Sequence, residues 1–401
     1  MRVLFIPMGW SSHYYPMVPL AWAFRAAGHE VRVAGQPPVM EPVLRSGLVV
    51  APVGAGYDLM AGVAGLNDRI RQARGRMPAS VEGMRALPPE VLRDFRNLQY
   101  TPHVAAATAM ADEVVDLARR WRPDLVVTDP VTLVGPVAAA AAGCPLVHHL
   151  WGPYMPGLDH FPGLGSDPAD WPTELRALYA RLGVTERTRY AAATVDPCPA
   201  SLQSVGVPDR IPVRYVPYNG SGAVPSGLAE PAGRPRVCVS WSMSNTLAVG
   251  ADGFQVPEII TALRRLDVEV VATVKESDRA ALGDPGPGVR LLTETPLHLI
   301  LPGCAAAVHH AGAGTMLTAA ACAVPQVLVT PVPDQTFNAE RLAATGAGIA
   351  LKADGTTVDD IATAVSTVLA DPGWAGAAAR LHTEIVAQPS PAEVVSALAR
   401  L

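Results

Sequence analysis

The sequence predicts an α/β protein built from two open parallel-sheet domains that face a shared cleft. Short apolar runs alternate with helical patterns along the first half, and the same alternation restarts near residue 236. Between the halves, RYVPYNGSGAVPSGLAEPAGRP (214–235) is thick with Pro, Gly and Ser and reads as a linker. At 401 residues the chain is also long for one core. The expected division is an N-terminal domain over 1–213, the linker over 214–235 and a second domain over 236–385. A C-terminal helix over 386–401 is expected to pack back on the first domain.

In the first half, RVLFIPM (2–8) is a continuous apolar strand candidate. MVPLAWAFRAAGHE (17–30) has helical spacing with a stop at Gly28, and EVRVAG (30–35) alternates like a strand. ADEVVDLARRW (111–121) reads as an amphipathic helix, and PDLVVTD (123–129) and CPLVHHL (144–150) as buried strands. Residues 54–105 lose this regularity, and their Gly, Met and Arg suit either a binding lid or irregular surface helices. In the second half the strand candidates are RVCVSWS (236–242), VEVVATV (268–274), AAAVHH (305–310) and PQVLVTP (325–331). Apolar strands joined through helices form parallel sheets covered on both faces, which bind ligands beyond the strand C-termini.

Composition narrows the partners. The net charge is −5 with no long basic block, which argues against nucleic acid and anionic membrane. The alanine-rich stretch VTLVGPVAAAAAGCPLV (131–147) holds two prolines and two glycines, so a buried helix and strand explain it better than a bilayer span. The N-terminal apolar run is too short for a signal peptide. Five widely spaced cysteines without a CxxC fit reduced thiols in a cytoplasmic protein.

Straight after the first strand, GWSSHYYP (9–16) places His13 in a polar loop, either as a working base or as an ordinary loop residue. In the second half, HAGAGT (310–315) joins a strand to a helix. Gly312 and Gly314 allow close backbone approach, and the unpaired N–H groups opening the helix suit a phosphate. His310 and Thr315 flank the turn, although a tight strand–helix connection alone explains such glycines equally well. The third glycine of the dinucleotide fingerprint is missing, and no GxxxxGK[ST] occurs. His309 and His310 point to opposite faces of a strand end, so one packs and the other faces the cleft, without forming a metal pair. In TPVPDQTFNAE (330–340), Asp334 and Gln335 lie on the same rim and can bond a polyhydroxylated group; alone, they would also serve a turn or cap.

HAGAGT, a proline-led strand and then DQ-x-x-NA (334–339) together resemble the nucleotide-sugar signature of GT-B glycosyltransferases of the macrolide, glycopeptide and plant-UGT superfamily. HYYP (13–16) with LAWAFRAAGHEV is similar to that family's opening, and PDLVVTD to its central N-domain strand. VPYNGSG resembles the linker of actinobacterial members that decorate secondary metabolites with deoxysugars. The similarity covers most of the chain.

This resemblance implies a GT-B fold of two Rossmann-like domains. It also implies inverting, metal-independent transfer of a (deoxy)sugar from a nucleoside diphosphate to a hydrophobic aglycone. It places the general base on His13 and its carboxylate partner on Asp129. The diphosphate falls to Ser242, His310, Gly312, Gly314 and Thr315, and the sugar hydroxyls to Asp334 and Gln335. Asn338 either touches a phosphate or caps a helix. In TPLHLILPGC (295–304), Leu297 stands where the family often has glutamine, and thymidine is the expected base because deoxysugar donors usually carry it. No D-x-D occurs, so no metal is expected, and no cofactor beyond the nucleotide-sugar co-substrate. Trp10, Tyr14, Met60, Phe95, Trp151, Tyr154 and Met155 lie near strand ends and suit a large apolar acceptor, with LWGPYMPGLDHFPG (150–163) as a candidate gate. A homodimer is compatible with such a surface. A nucleotide-sugar epimerase and a catalytically silent auxiliary protein are the competing readings; the acceptor-loop insertion and the His13–Asp129 pair argue against the first, and the joint presence of His13, Asp129, His310 and Asp334 against the second.

Overall fold

In the computed structural model, which describes residues 1–74, 81–155, 157–204, 206–228, 232–241 and 253–401, the first apolar run becomes strand β1 (Arg2–Ile6). Its side chains alternate in direction. Leu4 and Ile6 enter one apolar core, and Val3 and Phe5 enter another on the opposite face. A strand buried on both faces belongs inside a parallel sheet. With β2 (Glu30–Gly35), β3 (Val50–Pro52), β4 (Leu125–Thr128), β5 (Leu146–His149), β6 (Ala191–Asp196) and β7 (Arg210–Pro212), it forms a seven-stranded sheet in the order β3-β2-β1-β4-β5-β6-β7. Every neighbouring pair is parallel. Ile6 lies opposite Thr128, so the loops after β1 and β4 leave the sheet side by side at its carboxyl edge.

Helices α1 (Ser11–Tyr14), α2 (Val18–Ala26) and α3 (Pro37–Arg45) supply the core on the Val3 face. Gly28, at φ +85°, ends the turn after α2 as the sequence predicts. Residues 54–105 resolve into helices: α4 (Leu59–Arg74), α5 (Val81–Arg85) and the start of the 33-residue α6 (Pro89–Trp121). The buried face of α6 runs through Val104, Ala107, Ala111, Val114 and Ala118 at helical spacing. Pro102 sits inside this helix, which hides its continuity from the sequence pattern. With α7 (Gly135–Ala142) and α8 (Thr173–Arg181), α6 closes the Leu4 face.

The second sheet joins β8 (Arg236–Ser240), β9 (Glu269–Thr273), β10 (Val289–Leu292), β11 (Ala306–His309), β12 (Gln326–Thr330) and β13 (Gly348–Lys352) in the order β10-β9-β8-β11-β12-β13. It too is parallel throughout. Its helices are α9 (Val256–Leu263), α10 (Glu276–Leu282), α11 (Ala313–Ala321), α12 (Pro333–Ala344), α13 (Val358–Ala370) and α14 (Pro372–Ala387), followed by the terminal α15 (Pro391–Leu398).

The connection between the sheets is pinned in place. Tyr215 donates its hydroxyl to the Gly314 carbonyl at 3.2 Å, and Asn219 Nδ2 donates to Thr318 Oγ1 at 3.1 Å. The chain crosses back after α14, where α15 sends Val394, Val395 and Leu398 into the first domain's core. The two crossings touch, with the Arg214 N–H donating to the Pro389 carbonyl at 2.7 Å. No helix among the described residues is long and apolar enough to cross a membrane.

Candidate active site

At the carboxyl edge of the first sheet, α1 is a single turn that lifts His13 beside the end of β4. The His13 side chain is 11% exposed, and its Nδ1 lies 3.8 Å from Asp129 Oδ2. That separation exceeds a hydrogen bond, and Nδ1 has no other partner. The ring packs on Trp151, with centroids 4.3 Å apart, and Trp10 lies 6.4 Å away on its own loop. Burial pushes the imidazole down to about 3, so it is neutral at physiological pH and able to accept a proton.

Asp129 is fully buried. Its Oδ2 accepts from the Met8 N–H at 2.6 Å and the Thr132 hydroxyl at 2.9 Å, and Oδ1 from the Val131 N–H at 3.1 Å. Desolvation pushes the carboxyl up to about 6 against these bonds, which leaves it ionised at neutral pH. A neutral imidazole facing a carboxylate can take a proton and have the new charge stabilised.

A second histidine lies within the field of the same carboxylate. His103, from α6, hydrogen-bonds the Val131 backbone and feels the charges of both Asp129 and His13. Burial outweighs the carboxylate and lowers it to about 4, and its ring stands edge-on to Phe161 at 5.2 Å. No motif marks it in the sequence. Its spacing to Ala106, Ala107 and Met110, all buried, is the signal that would have placed it on the inward face of a helix.

In the second domain, β11 ends at His309, which is buried and bonds Gln326 Oε1 at 2.8 Å through Nε2. His310 lies 2% exposed beneath the glycine turn, hydrogen-bonded to the Ser240 backbone and 5.5 Å from the Trp241 ring. Burial pushes it down to about 3. Ala311 takes a left-handed φ of +64°, uncommon without glycine. Asn338 holds that turn by donating Nδ2 to the Ala311 carbonyl at 3.0 Å. It therefore braces the turn from mid-α12 and caps no helix. A Cβ at Gly312 would sit 2.5 Å from His310 Nε2, whereas Gly314 faces open space. Thr315 is half-buried in the first turn of α11. Ser242 lies outside the described residues.

Asp334 and Gln335 occupy the first turn of α12 but differ in setting. Asp334 is exposed, with its carboxyl raised by the crowding of surrounding atoms, while Gln335 is 4% exposed. The two domains meet next to the His13 ring: a Cβ at Gly152, the residue after Trp151, would run into Ala313 at the start of α11.

The aromatic set divides. Trp10 and Trp151 bracket His13, and half-buried Tyr154 and Met155 follow in the same segment. Met60 and Phe95 are half-buried on α4 and α6. Tyr14 is a correction. It turns away from the cleft into the Val3-face core, fully buried, with its hydroxyl 2.5 Å from Ser46 Oγ. One step along a single-turn helix separates it from His13 by roughly 100°, so the two neighbours cannot share a face. Among the described residues no group of three or more His, Cys, Asp or Glu is arranged to hold a metal ion.

Residues 22–242 match the model of the erythromycin biosynthesis protein CIII-like N-terminal domain, and residues 257–401 that of its C-terminal domain. The chain is 38% identical to 10-deoxymethynolide desosaminyltransferase of Streptomyces venezuelae, over 100% of this chain and 97% of that protein. It is 35% identical to 3-alpha-mycarosylerythronolide B desosaminyl transferase of Saccharopolyspora erythraea, over 98% of this chain and 97% of that one. Among solved structures, the glycosyltransferase VinC in complex with dTDP superposes with a TM-score of 0.82 at 32% identity, covering 100% of this chain and 99% of VinC. Spinosyn rhamnosyltransferase SpnG complexed with spinosyn aglycone gives 0.78 at 31% identity, covering 99% of this chain and 100% of SpnG. Two parallel-sheet domains, matched end to end by these proteins and by both family models, make this chain a GT-B glycosyltransferase of the erythromycin biosynthesis protein CIII-like family.

Proposed function

We propose that this enzyme moves a deoxysugar from a TDP carrier to a hydrophobic, polyketide-type aglycone by a single inverting displacement that needs no metal, with His13 as general base. The observation that carries the reading is the shared wall of the cleft. The His13 ring packs on Trp151, and the adjacent Gly152 abuts Ala313 in the first turn of α11. A base and a helix N-terminus fit for a diphosphate thus border one space. The relatives' names, which specify desosamine and 2-deoxy-L-fucose transfer, and the dTDP and aglycone complexes of the neighbours support the donor and acceptor classes.

In this mechanism His13 removes the proton of the acceptor hydroxyl as its oxygen attacks the anomeric carbon. The sugar–diphosphate bond breaks on the opposite face, and the departing charge is taken by the N–H groups opening α11, with Thr315 beside them. Asp334 holds sugar hydroxyls at the first turn of α12. An imidazole held near 3 is a weak base. Shortening its 3.8 Å gap to Asp129 into a charge-assisted bond raises its proton affinity when the acceptor seats on Trp10 and Trp151. The half-buried aromatic segment at 151–155 then excludes the water that would otherwise hydrolyse the donor.

The test is His13→Ala, assayed for transfer by mass spectrometry and for TDP affinity by calorimetry. Turnover is expected to fall at least a hundredfold with TDP affinity unchanged; parallel loss of both would move His13 into the donor site. EDTA is expected to leave the rate unaltered.

A further inference from the structure

Away from the catalytic pair, one set of contacts ties the two domains together at the end of α12. Arg341 lies seven residues after Asp334, two turns along and on the same helix face, with Asn338 between them. Its guanidinium donates to three consecutive carbonyls of the first domain: Ser201 at 3.1 Å, Leu202 at 3.3 Å and Gln203 at 2.8 Å. From another side, Glu384 of α14 accepts from the Ser201 N–H at 3.0 Å and from its hydroxyl. Gln203 is 6% exposed and passes the connection inward. Its Oε1 accepts from the Tyr154 N–H at 2.7 Å, and its Nε2 donates to buried Asp196 at 2.9 Å. The Ser204 hydroxyl donates to the Tyr154 carbonyl. Tyr154 ends the segment whose Trp151 packs on His13 and whose Gly152 abuts Ala313.

We propose that Arg341 is a positioning residue that couples the donor-facing first turn of α12 to the 150–155 segment, so that binding of a sugar nucleotide sets the acceptor wall. The proposal rests on the reading of Asp334 as a donor contact. Asp334, Asn338 and Arg341 share one face of one helix, so a displacement at its first turn is carried as a rigid shift to its last. The planar guanidinium fork fixes the direction of all three carbonyls in a way a flexible ammonium cannot. Gln203 then transmits that direction to the Tyr154 backbone.

Hydrogen–deuterium exchange on the full chain tests this, using TDP and TDP-glucose as probes in the wild type, Arg341→Gln and Arg341→Lys. Segments 150–155 and 199–204 are expected to exchange at least tenfold faster in Arg341→Gln, with TDP affinity within twofold of wild type. TDP-glucose is expected to slow exchange at 150–155 in the wild type and not in Arg341→Gln, and Arg341→Lys to recover less than half of that protection. Unchanged exchange in Arg341→Gln, or wild-type binding of TDP-glucose without protection at 150–155, overturns the proposal. A wild type that binds neither probe removes the donor reading and the coupling with it, while exchange without probe still decides whether Arg341 holds the loop. Should Arg341→Gln fail to fold, Gln203→Leu cuts the path at Tyr154. Loss of protection confined to 150–155 then supports the coupling, and retained protection refutes it.

Discussion

Replacing Asp129 by asparagine removes one charge while keeping the side-chain volume. Asp129 faces His13 Nδ1 at 3.8 Å from a fully buried position. At an effective dielectric of about 20, a carboxylate at that distance stabilises an imidazolium by about 4 kcal/mol. If this attraction is made only as the proton transfers, its loss slows turnover about a thousandfold, at 1.36 kcal/mol per decade. The substitution also has a structural cost. Both carboxylate oxygens accept from donors, so the new amide N–H₂ must face either the Met8 or the Val131 N–H. One such clash of buried donors costs about 1–3 kcal/mol of stability. Thr132→Val separates the two effects: it deletes the 2.9 Å hydroxyl bond and leaves the charge. Transfer measured by mass spectrometry is expected to fall about a thousandfold in Asp129→Asn and less than tenfold in Thr132→Val, with both variants folded by thermal melting and binding TDP normally. A folded Asp129→Asn that keeps more than a tenth of the wild-type rate would refute the idea that this carboxylate stabilises the protonated base.

Other outcomes follow from the same geometry. Because Asp129 ionises at about 6, the rate is expected to fall as pH drops through that value, and this acid limb should vanish in Asp129→Asn. Gly312→Ala places a methyl 2.5 Å from His310 Nε2 and should weaken TDP binding at least tenfold by calorimetry without unfolding the chain. Tyr14→Phe loses the bond to Ser46 and should lower stability by about 1 kcal/mol in urea melts while leaving acceptor KM unchanged. Six histidines, of which His148, His149, His309 and His310 are buried and His13 and His103 half-buried, have values lowered to about 3 or 4. Each takes up its proton at about 6.5 only in the unfolded chain, so each removes about 1.4 kcal/mol per pH unit as pH falls from about 6.5 toward its folded value. The raised carboxyls of Asp129 and Asp334 work in the opposite sense over part of this range, two groups against six. Fluorescence-monitored acid titration should show cooperative unfolding between about pH 4 and 6, and a protein fully folded at pH 4 would contradict the burial of these rings.

The central strands were legible because burial on both faces leaves an unbroken apolar run, as in RVLFI and LVVT. The strands the sequence reading did not name, β3, β6, β7, β10 and β13, lie outside the sheet centres and keep partly exposed positions, so their patterns blur into loops. Residues 54–105, open in the sequence between a lid and surface helices, are helical although Gly62 and Gly65 fall within α4, Gly83 within α5 and Pro102 within α6, residues that weaken the helical pattern. At the site, His13 and Asp129 were readable as strand-end residues on neighbouring loops. Tyr14 was not separable from His13 by composition, since only the helical turn decides which of two adjacent rings faces inward. His103, Arg341 and Gln203 carried no motif. Each has a backbone partner distant in sequence, which only the fold brings near.

The touching crossings at Arg214 and Pro389 have a practical meaning for recombination of such enzymes. Because the last helix completes the first domain's core with Val394, Val395 and Leu398, the first half of the polypeptide is not a self-sufficient module. A chimera joined only within 214–235 would graft a foreign tail onto the front domain and forfeit about 1.5–3 kcal/mol for each of those side chains that no longer fits. Functional hybrids should need three pieces, with the final dozen or so residues taken from the same parent as the N-terminus.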